Sequence, residues 1–293
     1  MVRVEMPVDR GADRIGQVIG RQFRLDALIG KGAMADVYRA LDLSTAAYVA
    51  LKILRRHLDD HDPAARQRFQ READVQAVLR HRNVAALLAT GVTTEDEPYL
   101  VVELLRGKSL RGVIKAEKRV EPRRAASFAW QALQGLSAVH AAGILHRDLK
   151  PANIMLEPST GPIERVVLID FGFATFEGSA KLTQQGAVVG SLTYIAPERL
   201  RGEQIDQRSD LYSIGAILFE LLMGRPPFTA SDDYDLVEQH LTEAPPPLDG
   251  SLPLALDVVI TRALSKYQDE RYADAATMAV ALEEAVQSLG QRT

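Results

Sequence analysis

The chain has 293 residues, 46% hydrophobic and 25% charged, enough to bury a sizeable core in one large domain or two lobes and too apolar for a disordered chain. Its formal net charge of −4 offers no broad basic surface, so nucleic acid is not an expected partner. It has no cysteine, which excludes disulfides, cysteine metal sites and thiol catalysis.

The first twenty residues include Arg3, Glu5, Asp9, Arg10, Asp13 and Arg14, which leave no room for an apolar signal core. Alternation from Phe23 to Ile29 predicts a strand. It runs into Gly30-Lys31-Gly32-Ala33-Met34-Ala35-Asp36-Val37-Tyr38, where two glycines one residue apart permit a tight turn and close approach of amides to phosphates. Many hairpin turns look the same. Residues 48–54 are β-rich, and a period of two puts Ala50 and Lys52 on one face, small residue beside cation. An ordinary strand with an outward lysine has the same pattern.

Asp62 and Pro63 suit the opening of a helix. Phe69, Glu72, Ala73, Gln76 and Leu79 then share one face, so Glu72 points inward and needs a cationic partner, for which Lys52 is the natural candidate. The alternative is a surface carboxylate beside Arg68 and Arg71. Residues 100–105 read as a further strand. Residues 122–142 predict a helix with Ala126, Ala129, Trp130, Leu133, Leu136 and Val139 inside, stopped by Gly143.

The rest of the chain is organised around residues 144–172. Here Ile-Leu-His-Arg-Asp-Leu-Lys-Pro-Ala-Asn-Ile-Met-Leu is followed by a turn and then by Val-Val-Leu-Ile-Asp-Phe-Gly. Residues 166–169 form an apolar run of strand length that ends on Asp170 and Gly172. The polar set suits phosphoryl transfer, in which positioning and charge neutralisation dominate. Asp148 can accept the hydrogen of an incoming hydroxyl and Lys150 can neutralise the moving phosphoryl. Asn153 and Asp170 are oxygen ligands of the kind Mg²⁺ prefers. Either tripeptide alone would also fit a solvated loop; the two together, in this order, are the specific signal.

These residues resemble the eukaryotic-type (Hanks-type) serine/threonine protein kinase family, most closely its bacterial members, over roughly residues 20–288. The resemblance implies an α+β bilobal kinase fold: a polar lead-in at 1–20, a small β-rich N-terminal lobe with one main helix at 21–104, a larger helical lobe at 105–288 and a tail at 289–293. It implies transfer of the γ-phosphoryl of Mg-ATP, with Mn²⁺ as a substitute metal, to serine or threonine hydroxyls of proteins. Asp148 would orient and deprotonate the hydroxyl, Lys150 steady the phosphoryl, Lys52 paired with Glu72 reach the phosphates, and Asn153 and Asp170 hold the metal. Gly30 and Gly32 would cover the phosphates. Leu28, Val37, Ala50 and Met155 would sandwich the base, Val102 would control access behind it, and backbone groups at Glu103 and Leu105 would meet its edge. Each of these apolar residues is equally a core residue in isolation.

Residues 173–189 lack periodicity and resemble the activation segment, which ends at Ala196-Pro197-Glu198. Arg147 offers a cation for a phosphate there, with Thr183 the first choice of acceptor and Thr175, Ser179 and Thr193 weaker ones. Self-phosphorylation implies that copies meet, for which a homodimer is one arrangement. Ser191 would bond Asp148 and Lys150. Two departures from the family pattern stand out. Ala35 replaces a third loop glycine. Gln76 replaces an apolar member of a column that would also hold Leu87, Phe171 and His146, which leaves the helix less firmly seated. A nucleotide-binding pseudokinase or interaction module, and a small-molecule phosphotransferase, are the competing readings.

Residues 209–223 predict a central helix, apolar on nearly every face, with Asp210 suited to its positive end. The family resemblance implies that Asp210 braces the catalytic-loop backbone and that Arg271 pairs with Glu198. Further helices follow near 233–241, 254–265 and 273–289, with a stiff triple proline at 245–247. The apolar run 214–223 is too short for a bilayer and contains Glu220. No membrane segment is expected, and a cytoplasmic location, alone or as the cytosolic domain of a longer protein, is the expectation.

Overall fold

The computed structural model describes residues 14–32, 34–55, 64–161, 163–171 and 192–287. The chain divides into two compact units, Met1–Val78 with Ala85–Leu105, and Leu79–Val84 with Arg106–Thr293.

The first unit is built on a six-stranded antiparallel sheet. Its strands are β1 (Val18–Ile19), β2 (Phe23–Lys31), β3 (Ala35–Asp42), β4 (Tyr48–Leu54), β5 (Leu87–Val92) and β6 (Pro98–Glu103), in the order β1-β2-β3-β4-β6-β5. Among the described residues of this unit, helix α1 (Ala64–Val78) accompanies it. Alternation along β4 gives each sheet face its own core. Val49, Leu51 and Ile53 join Phe23, Leu25, Tyr38, Ala40 and Val101. On the opposite face Leu54 packs with Ala35, Leu100 and the α1 residues Phe69 and Ala73. Lys52 therefore stands on the face that meets α1. Asp62 and Pro63, the expected helix opening, lie outside the described residues.

The second unit is mainly helical. It begins with β7 (Lys108–Ser109) and α2 (Leu110–Glu117), continues with α3 (Pro122–Ala141), and carries a hairpin of β8 (Ile154–Glu157) and β9 (Arg165–Leu168). After it come α4 (Pro197–Arg201), α5 (Gln207–Met223), α6 (Asp233–Thr242), α7 (Leu254–Ala263) and α8 (Ala275–Gln287). Helix α5 is the expected central helix: every residue from Ser209 to Leu222 is buried. Asp206 caps it by accepting from the Arg208 amide at 2.8 Å, and Gly224 ends it at φ 72°. The last three helices match their expected positions to within two residues at each end. Among the described residues, no helix is long and apolar enough to cross a membrane.

Helix α3 corrects one sequence expectation. Trp130 is 38% exposed, and Phe128, at 1%, fills the core instead. The buried stripe runs through Ala125, Ala129, Ala132, Leu136 and Val139. Position 130 is about 100° further round the helix than 129, which carries it past the edge of that stripe. Helix α2 was absent from the sequence reading. It is short, contains Gly112, and is held by the Ser109 hydroxyl, which accepts from the Gly112 amide at 3.3 Å.

Candidate active site

In the first unit, β2 and β3 pair through Gly30↔Val37 and Lys31↔Asp36, with a register shift between Leu28 and Gly30. The Gly32 amide donates to the Ala35 carbonyl at 2.9 Å, and a Cβ on Gly32 would lie 3.0 Å from that oxygen. A side chain at 32 would thus press on the Ala35 carbonyl, which would have to give by a few tenths of an ångström. At Gly30 the nearest atom, Val37 Cβ, is 3.6 Å away, an ordinary contact, so the chain's own packing does not demand glycine there. Ala35 is 2% exposed and packs with Leu54 and Phe69. Its methyl belongs to the core under the sheet, which explains why this position carries a side chain.

Lys52 Nζ lies 2.7 Å from Glu72 Oε1, with both side chains mostly buried. The pair forms because β4 and α1 pack through the residues on either side of it. Gln76, one turn after Glu72, is 3% exposed, and its Oε1 meets no hydrogen-bond donor among the described residues. Ala50 is buried, while Leu28, Val37, Val102 and Leu105 are half-buried. The Glu103 amide donates to the Ala86 carbonyl, and its carboxylate accepts from the Ala86 amide, both at 3.0 Å. The end of β6 is thereby fixed before the chain leaves the unit.

In the second unit, the segment after α3 gathers the polar residues. Gly143 turns the chain at φ 73°. Asp210, in the first turn of α5, then takes three donors. His140 Nε2 lies 2.8 Å and the His146 amide 2.9 Å from its Oδ2, and the Arg147 amide lies 3.0 Å from its Oδ1. Burial opposes ionisation of Asp210, but these donors outweigh it and hold its carboxyl below the usual range. Arg147 adopts a left-handed backbone, φ 65°, a conformation non-glycine residues need support to hold. Burial lowers the pKa of His146, whose ring centre lies 4.9 Å from that of Phe171.

Asp148 follows directly. Its Oδ2 lies 2.7 Å from Lys150 Nζ and 3.0 Å from Asn153 Nδ2, which also donates to the Asp148 carbonyl at 2.9 Å. The hairpin brings up the remaining residue. Ile154 pairs with Leu168, and the Ile169 amide donates to the Asn153 carbonyl at 3.0 Å, so Asn153 and Asp170 flank the same end of β8 and β9. Asp170 is exposed, at φ 54°, immediately after the buried run Val166–Leu168. Met155 sits on β8, half-buried. An amide oxygen beside carboxylates is a donor set that suits a hard divalent cation, which takes few protein ligands and completes its shell with substrate oxygens and water. Among the described residues, no group of three or more His, Cys, Asp or Glu forms a separate metal cage.

Glu198, on α4, forms a two-pronged pair with Arg271, both contacts at 2.8 Å. Burial raises the Glu198 pKa, but Arg271 and the Ser209 hydroxyl outweigh it, and the carboxyl stays below its usual range. Thr183, Ser191, Thr175 and Ser179 lie outside the described residues. The sequence reading missed His140, the third donor to Asp210, and Arg199, whose guanidinium donates to the Arg147 carbonyl. A lone histidine at a helix end and an arginine in a helix turn carry no pattern that could have marked them.

A model of the protein kinase domain family matches residues 23–279. The chain belongs to the protein kinase family. It is 37% identical over 278 residues to a probable serine/threonine-protein kinase of Corynebacterium efficiens, covering 91% of this chain and 41% of that protein. It is 39% identical over 271 residues to the serine/threonine-protein kinase pkn3 of Myxococcus xanthus, covering 89% of this chain and 49% of that protein. The chain thus spans less than half the length of these relatives. Among solved structures, the PknI kinase domain of Mycobacterium tuberculosis superposes with a TM-score of 0.69, 24% identity, and coverage of 93% of this chain and 98% of that one. The fold is the α+β protein kinase fold, as the sequence resemblance implied.

Proposed function

We propose that the chain is an ATP-dependent protein kinase that phosphorylates serine and threonine hydroxyls of proteins, itself included. The observation that carries this reading is the Asp148 cluster: a carboxylate touched by Lys150 and Asn153, on a loop whose backbone is fixed by a buried carboxylate. In this reading Asp148 receives the proton of the attacking hydroxyl, and the hydroxyl oxygen forms its bond to phosphorus as the bond to the departing ADP oxygen breaks. Lys150, already beside Asp148, offsets charge on the transferred phosphoryl. Asn153 and Asp170 would hold Mg²⁺, which when bound neutralises phosphate charge. Mn²⁺ would fit the same donors.

In this proposal Gly30 and Gly32 lie at the phosphates, Lys52 is held by Glu72, Leu28, Val37, Ala50 and Met155 lie against the base, Val102 controls access behind it, and backbone groups at Glu103 and Leu105 meet its edge. The lysine after Asp148, two residues on, favours serine and threonine over tyrosine. The names of the bacterial relatives support the same choice. Arg147 would receive a phosphate placed on Thr183, and Ser191 would bond Asp148 and Lys150. Lobe limits at 21–104 and 105–288, a cytoplasmic location and a transient homodimer for self-phosphorylation belong to the same proposal. The test is to incubate the purified chain with γ-labelled ATP and Mg²⁺ and map the label by mass spectrometry. Label on serine or threonine, with Thr183 first, is the expected result. Bound ATP with no label on any protein would leave the chain a pseudokinase.

A further inference from the structure

Arg147 precedes Asp148 and holds a left-handed backbone at φ 65°. Both of its backbone polar groups are gripped by charged side chains. Its amide is bound by Asp210 at 3.0 Å, and its carbonyl accepts from Arg199 Nη1. That carbonyl belongs to the peptide bond leading into Asp148, so whatever fixes it fixes the direction in which the Asp148 side chain departs.

Arg199 lies in the short helix α4 (Pro197–Arg201), and most of its side chain is out of solvent. A desolvated guanidinium is normally matched by a carboxylate. Here, among the described residues, no carboxylate lies within hydrogen-bonding range of it, and the nearby ones are engaged elsewhere. Asp148 holds Lys150 and Asn153, Asp210 holds His140 and two amides, and Glu198 holds Arg271 and Ser209. Burial lowers the Arg199 pKa, while the charges of Asp210 and Asp148 work in the opposite direction. The cation is therefore stationed beside the catalytic loop, and the acceptor it reaches is a main-chain oxygen. Charge-assisted bonds of this kind are shorter and stronger than neutral ones.

We propose that Arg199 is a positioning residue for Asp148: its guanidinium on the Arg147 carbonyl and the Asp210 carboxylate on the Arg147 amide together clamp that residue and set the orientation of the Asp148 carboxylate. The inference rests on the kinase reading above. It predicts that loss of the donor slows the transfer step and leaves nucleotide affinity alone, because Arg199 acts through Asp148 and touches no substrate group.

The test compares wild type, Arg199→Met and Arg199→Lys by the initial rate of self-phosphorylation over a range of Mg-ATP concentrations, with the folded fraction taken from ATP-binding stoichiometry. Arg199→Met, which keeps the stem and removes every donor, should lower the maximal rate by about 20-fold or more with KM for ATP within about twofold of wild type. Arg199→Lys, which keeps charge and a donor, should recover to within about fivefold of wild type. A wild-type maximal rate per folded molecule in Arg199→Met overturns the clamp. So does a loss confined to KM, or Arg199→Lys as slow as Arg199→Met with an equally lowered melting temperature, which would make Arg199 scaffold only. Should Arg199→Met not fold, Arg199→Gln carries the same comparison, and a wild-type rate from it likewise overturns the clamp. A wild-type chain that binds ATP and transfers nothing would instead remove the kinase reading, and the clamp with it.

Discussion

Replacing Arg271 with methionine should unfold the larger unit far more readily than any surface change. Arg271 and Glu198 have side-chain exposures of 0% and 1%, and two contacts of 2.8 Å join them. Arg271 also donates to the carbonyls of Ser265 at 2.8 Å and Arg208 at 3.1 Å, and its guanidinium lies 4.9 Å from the Tyr212 ring centre. Methionine retains the packing against Tyr212 but leaves Glu198 a buried carboxylate with no cation on it, held by the Ser209 hydroxyl and its own backbone amide. Breaking a buried pair from one side costs about 3–5 kcal/mol. With a urea slope of about 2–3 kcal/mol per M, the denaturation midpoint should fall by about 1 M or more. Adding Glu198→Gln should return part of that loss, because the stranded charge is then gone. A single-variant loss below about 1 kcal/mol, or a double variant less stable than Arg271→Met, would refute the argument that the pair matters through burial of its charges.

Gln76→Leu removes an amide oxygen that has no donor among the described residues, so stability should rise by about 1–3 kcal/mol, and α1, better seated, should raise basal phosphoryl transfer; a lower melting temperature or a lower rate contradicts this. His240 has 0% exposure, and burial, with Lys266 beside it, pushes its pKa down to about 3. Between pH of about 6.5 and 3 the unfolded chain binds a proton that the folded chain refuses, so stability should fall by about 1.4 kcal/mol per pH unit as pH drops through that window. His240→Gln should be less stable at pH 7, because Tyr212 loses its 2.8 Å partner, yet show a shallower acid slope; equal slopes from urea titrations would contradict the assignment. Lys52→Met should lower kcat/KM for ATP by about 100-fold or more in labelled-ATP kinetics, and should also lower the melting temperature in calorimetry, because the mostly buried Glu72 carboxylate loses its 2.7 Å partner.

Much of the larger unit's chemistry was visible in the sequence because its residues are close together in the chain. Asp148, Lys150 and Asn153 span six positions, and their mutual contacts need only one loop. The Lys52–Glu72 pair was legible for a different reason: period two in β4 and period 3.6 in α1 each place a charged residue among apolar ones, and such residues seek each other. Family membership and the α+β class followed from the same motifs. What escaped depended on edges and on distance. Trp130 sits just outside a stripe whose width only its neighbours determine, and Phe128 takes the buried place. Helix α2 is too short for periodicity to identify and is stabilised by a serine cap and by Leu110, Val113 and Ile114 packing inward. Arg199 meets the carbonyl of a residue 52 positions earlier, a contact no local pattern encodes. The core role of Ala35 was likewise invisible, since a small residue near a glycine turn reads as loop until Leu54 and Phe69 are seen beside it.

In the proposed reaction Asp148, steadied by Lys150 and Asn153, takes the proton from an attacking hydroxyl. Rapid-mixing measurement of a single round of phosphoryl transfer, wild type against Asp148→Asn, at saturating Mg-ATP, addresses this step most directly. Asparagine keeps the shape and can still accept from Lys150, so ATP should bind with unchanged affinity while transfer to serine and threonine slows by at least about 100-fold. Transfer by Asp148→Asn at the wild-type rate would show that this carboxylate is not the proton acceptor.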